Sequence, residues 1–465
     1  MDDFLLEFFP AVYAKKQRVK EDNYCKYDNQ FVQLFTSSLY LAALVSSFLA
    51  SKVCSKYGAK LTIFIASIFY WIGADLNAAA INLTMLIIGR IILGVGVGFG
   101  NEAFPLLLYE IAPVNCRGPI NIVFQLFVTI GIFCANMVNY FVSNIHPMGW
   151  RLALGLDVVP ATILFFGSFV IPETPTSFIK LGELQKGRTQ LENIRGTEDV
   201  DAEFNQLVVA CQLAHQVKNP FKKLTKPTSQ PPLIIAILLQ VFQQFTGINA
   251  LIFYSPVLFQ TVGFKDDASL LLSVIIGIVN VISTLVSIKT VIKFSRRVLL
   301  LQACWQMFIT QSVIGGILFA HLNGTNSLGR GEAIAVVLLV CLYVLSFAWS
   351  WGPLGWSIPV ETFPLETRTV GYAFAARTNM LFTFIIAHTF LSMMCHMRAG
   401  IFFFFAAWIL VMGIFVLFLL PETKDISIDE MGEIVWKQHW FWKRYMVDDD
   451  DKNSYEKQID DRQAV

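Results

Sequence analysis

The chain has 465 residues, 55% of them hydrophobic and only 15% charged, whereas a soluble domain carries about a quarter charged residues. Its net charge of +1 gives no basic face, so nucleic-acid binding is not expected. A mean hydropathy of +0.57 argues against a soluble enzyme and for a membrane protein.

The N-terminal MDDFLLEFFP is acidic, and its apolar stretch is too short for a signal peptide. Eleven apolar segments follow, near 32–52, 61–81, 84–109, 119–142, 151–171, 232–259, 268–290, 298–320, 333–358, 371–394 and 399–420. A run of roughly 18 or more apolar residues reads as a membrane span. The runs do not alternate, and an open sheet edge is not tolerated in lipid, so the fold expected is an all-α membrane protein.

The long polar stretch 172–231 separates five spans from six. Lys52, Lys56 and Lys60, then Lys180, Lys186, Arg188, Lys222 and Lys223, then Lys293, Arg296 and Arg297 lie on one side under simple alternation. By the positive-inside rule that side is cytoplasmic. The expected organisation is an external segment 1–31, an N-terminal bundle 32–171, a cytoplasmic linker with short helices 172–231, a C-terminal bundle 232–420 and a cytoplasmic tail 421–465. The tail carries KQHWFWKR and the acidic run from Asp448.

Two halves repeat. Glu110, Pro113 and Arg117 form E-x-x-P-x-x-x-R, and Glu361, Pro364 and Arg368 form it again. Pro172-Glu173-Thr174 and Pro421-Glu422-Thr423 close the last span of each half, and Lys56-Tyr57 and Lys293-Phe294 open matching basic loops. The offset of about 240 to 250 residues would put the partner of the sixth segment at or before residue 1. A six-helix repeat whose first helix is absent is therefore expected, as in an incomplete gene model or a splice product. Parallel repeats of this kind describe the major facilitator fold, whose site lies near the midplane between rocking halves. Acid and Arg at the helix ends, including Glu173, Arg296, Arg297 and Glu422, can pair across helices in one state and separate in another. Ordinary capping and anchoring is the plainer reading of each.

Gln243, Gln244 and Asn249 place three amides inside one apolar span. Such groups are costly in lipid unless they face partners or water. An amide both donates and accepts, which suits sugar hydroxyls; hydrogen-bonded glue between helices is the alternative. Gln243 and Asn249 do not share one narrow stripe, so a broad or bent face is expected, with Gly247 helping.

QLFTSSLYLAAL (33–44), MLIIGRIILGVGVGFGN (85–101), QQFTGIN (243–249), FAWSWGPLGW (347–356) and LPETKDISIDEM (420–431) resemble the plant sugar transport protein family of monosaccharide/proton symporters. The resemblance runs from about residue 1 to about 445, and family members carry some fifty residues more upstream. It implies sugar ligands at Gln125, Gln243, Gln244, Asn249, Asn280, Trp356 and Asn379. The Trp356 ring suits sugar C–H groups and its indole N–H can donate. Gly352, Pro353 and Gly355 would interrupt the ninth helix beside the cavity. Arg90 matches the Arg that, in the family, pairs with a proton-carrying Asp of the first helix, and here that Asp has no counterpart. Asp75, Glu102 and Asp157 are further carboxylates in or near spans. Arg377 is unusual for the family and is expected to snorkel from near the cytoplasmic end. Ile292 and Ser295 stand where the family has Asp and Gly, so loop locking in the C-terminal half is expected to weaken.

Of eight cysteines, Cys54, Cys116 and Cys211 fall at or in the cytoplasm and Cys134, Cys304 and Cys341 within spans. That leaves Cys25 and Cys395 outside, where disulfides persist, and the family joins an external lid at the matching positions. Sequons at Asn82 and Asn323 lie close to the membrane and are expected to be unused. No His/Cys metal set, nucleophile elbow or phosphate loop is present, so neither enzyme activity nor a cofactor nor a metal is expected. The expected function is proton-coupled hexose transport by a monomer in the plasma membrane, its partners being the monosaccharide, the proton and the bilayer. The alternative is a truncated, non-transporting or sensor-like membrane protein.

Overall fold

The computed structural model describes residues 2–18, 24–25, 27–113, 117–216, 220–262, 264–322, 328–424, 426 and 431–446. Among them, 11 helical stretches are long and apolar enough to cross a membrane. Spans 1 to 5 are Gln30–Tyr57, Ala59–Ala78, Leu83–Ile111, Ile122–Val142 and Gly149–Val170. Spans 6 to 11 are Pro227–Gln260, Asp267–Lys293, Arg296–His321, Arg330–Thr362, Glu366–Met397 and Gly400–Phe418. Their outward faces stay apolar, as at Phe127, Ile163 and Val170, which is what lipid requires.

Small residues set how closely the helices pack. Span 1 buries Ser37, Ala43, Ser46, Ser47 and Ala50, and span 3 buries Gly94 and Gly98. Small side chains let backbones approach where lipid supplies no hydrophobic drive between helices. The Asn29 side chain caps span 1 by accepting from the Phe31 N–H at 2.8 Å. Asn82, the first sequon, likewise caps span 3 through the Met85 N–H at 2.8 Å. Asn323 lies outside the described residues, as do Cys116 and Asp448.

Spans 1 and 10 pack along their length, as do spans 4 and 7, and these two pairs join the halves. Short helices Pro175–Lys180, Leu184–Arg195, Asp201–Gln216 and Pro220–Leu224 lie between spans 5 and 6. They define the linker face. Arg195 ties them to span 3 by donating to the Ile111 carbonyl at 2.7 Å while paired with Glu203 at 2.7 Å. On the opposite face, helices Asp2–Phe8 and Pro10–Arg18 pack against Phe35, Leu86 and Trp150. Phe8 packs edge-on against Trp150 with centroids 5.0 Å apart. Cys25 is disulfide-bonded to Cys395 at the end of span 10, with Cα atoms 4.6 Å apart. Beyond it, the Asp28 carboxylate accepts from Ser392 at 2.8 Å and from Gln33 at 3.0 Å.

Candidate functional site: an amide cluster against a broken helix

Two spans are broken, and the breaks create the site. Span 6 divides into Gln230–Phe245 and Ile248–Val262. Gly247 between them has φ +82°, and a Cβ there would meet the Phe405 ring at 2.8 Å. Only glycine suits that backbone and that contact. The bend explains how Gln243 and Asn249 can both face inward from one span. Span 9 divides into Arg330–Ala348 and Trp351–Thr362. The break at Trp349 and Ser350 precedes Gly352, Pro353 and Gly355, which sit inside the second helix.

Broken helices expose carbonyls that lipid cannot satisfy, so neighbouring side chains must. Pro359 has no N–H to offer the Gly355 carbonyl one turn earlier. Gln240 donates to that oxygen instead, at 2.6 Å. Gln243 donates to the carbonyls of Trp351 at 2.9 Å and Gly352 at 3.2 Å. This approach needs Gly355, where a Cβ would meet Gln243 Nε2 at 2.7 Å. Ser287 donates to the Trp349 carbonyl at 2.9 Å. Asn379 of span 10 completes the cluster, donating to Gln240 at 2.7 Å and to Gln243 at 2.8 Å.

Of the sequence-derived ligands, the structure thus joins Gln243 and Asn379 directly. Gln244 and Asn249 form a second pair, the Asn249 amide donating to the Gln244 side-chain oxygen at 2.7 Å. Gln125 reaches in from span 4, its Nε2 3.5 Å from where a Cβ on Gly352 would lie. Asn280 is buried in span 7. Trp356 is buried nearer the linker face, its ring 6.2 Å from Phe124 and 6.1 Å from Tyr372. Gln240 escaped sequence reading. It stands three residues before Gln243, the spacing that puts two side chains on one helix face, and that spacing is the signal which marks it.

The cluster is closed on itself. Gln240, Gln243, Gln244 and Asn379 are each less than 5% exposed, and the donors above are used within the protein. Each such bond contributes about 0.5–1.5 kcal/mol net. Exchange for equivalent bonds to a hydroxylated ligand is therefore close to neutral. The arrangement is chemically able to switch between self-contact and ligand contact.

The loop motifs gather at the linker face. Arg296 pairs with Glu361, and the Arg296 Nη1 also donates to Thr423 Oγ1 at 3.2 Å. Glu422 accepts from Ser295 and from the N–H groups of Arg296 at 3.3 Å, Arg297 at 3.2 Å and Lys424 at 3.1 Å. Burial alone would raise its carboxyl, but these hydrogen bonds, led by Ser295, hold it below the usual range. The expected weakening of this loop is thus corrected: Ser295 supplies a donor that glycine lacks. Glu173, its counterpart in the first half, has fewer ties. Burial pushes it up, opposed by the Thr174 N–H and reinforced by Glu110. Arg368 donates to the Phe363 carbonyl at 3.3 Å and stacks on Tyr109 of the other half, 4.6 Å from the ring centre. The side chain of Arg117 lies outside the described residues. A cavity of about 310 Å³ opens here, lined by Lys56, Glu110, Thr174, Lys180 and Glu366 among others. It is a cleft of loop-motif residues, distinct from the amide cluster.

Two arginines sit where hydropathy alone misplaces them. Arg377 does not snorkel. It is 5% exposed, lies over Phe48 at 4.0 Å and donates to the Ser47 carbonyl at 3.3 Å. The cause is span 1 packed against it, which bars the route to the interface. Arg90 lies over the Phe35 ring at 4.3 Å with a buried Nε that has no hydrogen-bond partner among the described residues. Asp157 of span 5 is its electrostatic neighbour.

Comparison with known proteins fits this geometry. The pattern of the family described as "Sugar (and other) transporter" matches residues 4–435. The chain is 61% identical over 457 residues to Sugar transport protein 6 of Arabidopsis thaliana, covering 98% of this chain and 90% of that one. It is 57% identical to Sugar transport protein MST4 of Oryza sativa subsp. japonica over 454 residues, covering 97% and 88%. In fold it resembles the proton:xylose symporter XylE bound to 6-bromo-6-deoxy-D-glucose, a major facilitator superfamily protein, with a TM-score of 0.77 at 22% identity over 92% of this chain and 96% of that one. The chain is a multi-pass helical membrane protein of the major facilitator fold, and it belongs to the sugar transporter family, whose members are transporters rather than enzymes.

Proposed function

We propose that this chain carries a monosaccharide, a hexose, across the plasma membrane by alternating access in symport with protons. The observation that carries the reading is the Gln240–Gln243–Asn379 amide cluster set against the broken span 9 of the second half, with Gln125 of the first half beside Gly352. Neutral amides that donate and accept match a ligand made of hydroxyls. Gln244, Asn249, Gln125 and Asn280 extend the polar wall, and Trp356 offers a flat apolar face to sugar C–H groups. The relatives named for sugar transport, and the fold shared with a proton:xylose symporter, support the substrate class and the coupling ion.

Loop-motif pairs at the linker face, Arg296–Glu361 above all, hold the helix ends in one state and release them in the other. That face is cytoplasmic because the basic loops lie on it, which also puts the C-terminus inside. Arg90 is the coupling cation, and the lid closed by Cys25 and Cys395 covers the external side. The unit is a monomer. The test is radiolabelled hexose uptake in a transport-deficient cell, with surface expression measured in parallel. Saturable uptake that rises with an inward proton gradient supports the reading; background uptake at confirmed surface expression refutes it.

A further inference from the structure

The amides account for one buried polar region, within the second half, and another, between the halves, has no role in the reading above. Glu102 lies in span 3, twelve residues beyond Arg90, or about 18 Å along the helix at ~1.5 Å per residue. It is 0% exposed, and neither carboxylate oxygen has a hydrogen-bond partner among the described residues. Across the interface, span 10 presents Arg377, whose Nε and Nη1 are likewise buried without partners. Tyr372, five residues earlier, is fully buried and its hydroxyl has no hydrogen-bond partner among the described residues either. The groups that face Glu102 are therefore Arg377 and Tyr372 from the second half and Cys54 from span 1. From span 2, the Tyr70 hydroxyl lies beside Gly100, two residues before Glu102. Arg377 is the charged group with an electrostatic contact to Glu102.

A buried carboxylate beside an arginine normally makes short charge-assisted hydrogen bonds, and this one makes none. An ionised carboxylate without such bonds is costly in a dry site, and the group neutralises instead. We propose that Glu102 binds a proton, and that its protonation holds the two halves together toward the linker face, Arg377 being its counter-charge only when the carboxyl is ionised. When the halves part there, water reaches both groups, the carboxyl releases its proton to that water and the ionised pair is solvated. When they close, one proton is taken up from water and no other bond changes. Falling pH then favours the closed arrangement and rising pH favours parting. By linkage, a proton bound in one arrangement biases the equilibrium between them. This inference rests on the transporter reading for the motion, but not for the proton site itself.

Two measurements on the purified full chain in lipid test it. The first is pH-difference infrared spectroscopy of the protein and of Glu102→Gln. A protonated-carboxyl C=O band that fades with rising pH in the parent and is missing from the variant is expected; identical difference spectra overturn the proposal. The second is hexose counterflow in proteoliposomes across a pH series. The parent rate should change about 5- to 150-fold over the series, the span of ordinary coupling free energies, with a flattened profile for Glu102→Gln. Parallel profiles in the two proteins contradict it. If the parent moves no hexose at all, the transporter reading fails on its own, and the infrared result still decides the proton site.

Discussion

Two buried polar regions, one within the second half and one between the halves, meet the same difficulty in opposite ways. Gln240, Gln243 and Asn379 are neutral, and they hydrogen-bond one another and the span 9 carbonyls of Gly355 and Trp351. Glu102, Tyr372 and Arg377 leave buried polar atoms without hydrogen bonds. The first region is stable as it stands and can trade bonds with a ligand at little cost. The second changes its charge when Glu102 takes up or releases a proton, which trades the cost of a buried carboxylate without hydrogen bonds against the loss of its attraction to Arg377.

The largest effect that would break this comparison comes from Glu102→Leu. At alkaline pH, where Glu102 has released its proton, it strands the buried Arg377 charge, and removal of one partner of a buried pair costs about 3–5 kcal/mol, a loss that shrinks in acid, where the parent's carboxyl is neutral too. Thermal unfolding in lipid should show a large fall in Tm. Replacing both groups, Glu102→Leu with Arg377→Leu, should recover most of that loss, because well-packed apolar residues often match or exceed a buried charge pair. If the double variant is no better than the single one, the two groups are not energetically opposed. Next in size is Asn379→Ala, which leaves the side-chain oxygens of Gln240 and Gln243 each without a donor. An orphaned buried acceptor costs about 1–3 kcal/mol, and hexose uptake should fall with stability. Here no partner substitution to an apolar residue should restore uptake.

A smaller effect sharpens the parallel contrast between the two PET carboxylates. Glu422 is held below the usual range by hydrogen bonds, so the stability it gives is present above its unfolded pKa and is lost as pH falls through its folded value. Glu173 is raised chiefly by burial, so its contribution is present at acid pH and is lost as pH rises through its folded value. Glu422→Gln should therefore lower Tm at neutral pH but converge on the parent in acid. Glu173→Gln should match the parent in acid and exceed it at neutral pH. Melting curves over a pH series check both signs. The lid gives a separate check: peptide mapping without reduction should recover Cys25 joined to Cys395.

The architecture was legible because its signals are one-dimensional. Long apolar runs, basic loops and two motifs at fixed spacing need no partner to be read, and the spans follow them closely. The partition of the halves was legible for the same reason. The finer site was less so. The bend at Gly247 could be expected from two amides that share no stripe, but the break in span 9 falls at Ser350, before the glycines and proline that suggested it. Gln240 was missed because its role is to replace the N–H that Pro359 lacks, a debt visible only once the two spans are side by side. Arg377 was misplaced because an arginine near a helix end snorkels only if its path is open, and Ser47 and Phe48 of the other half close it. Direction of a side chain into an interface depends on the partner surface, and that is not written in the local sequence.

The most direct test of the central claim is radiolabelled hexose binding to the purified chain in lipid, comparing the parent with Gln243→Leu at equal folded protein. The account requires saturable binding by the parent and a loss of at least about tenfold in affinity for the variant, the effect of roughly 1.4 kcal/mol. Equal binding by both proteins would contradict it and leave the amides as glue between helices.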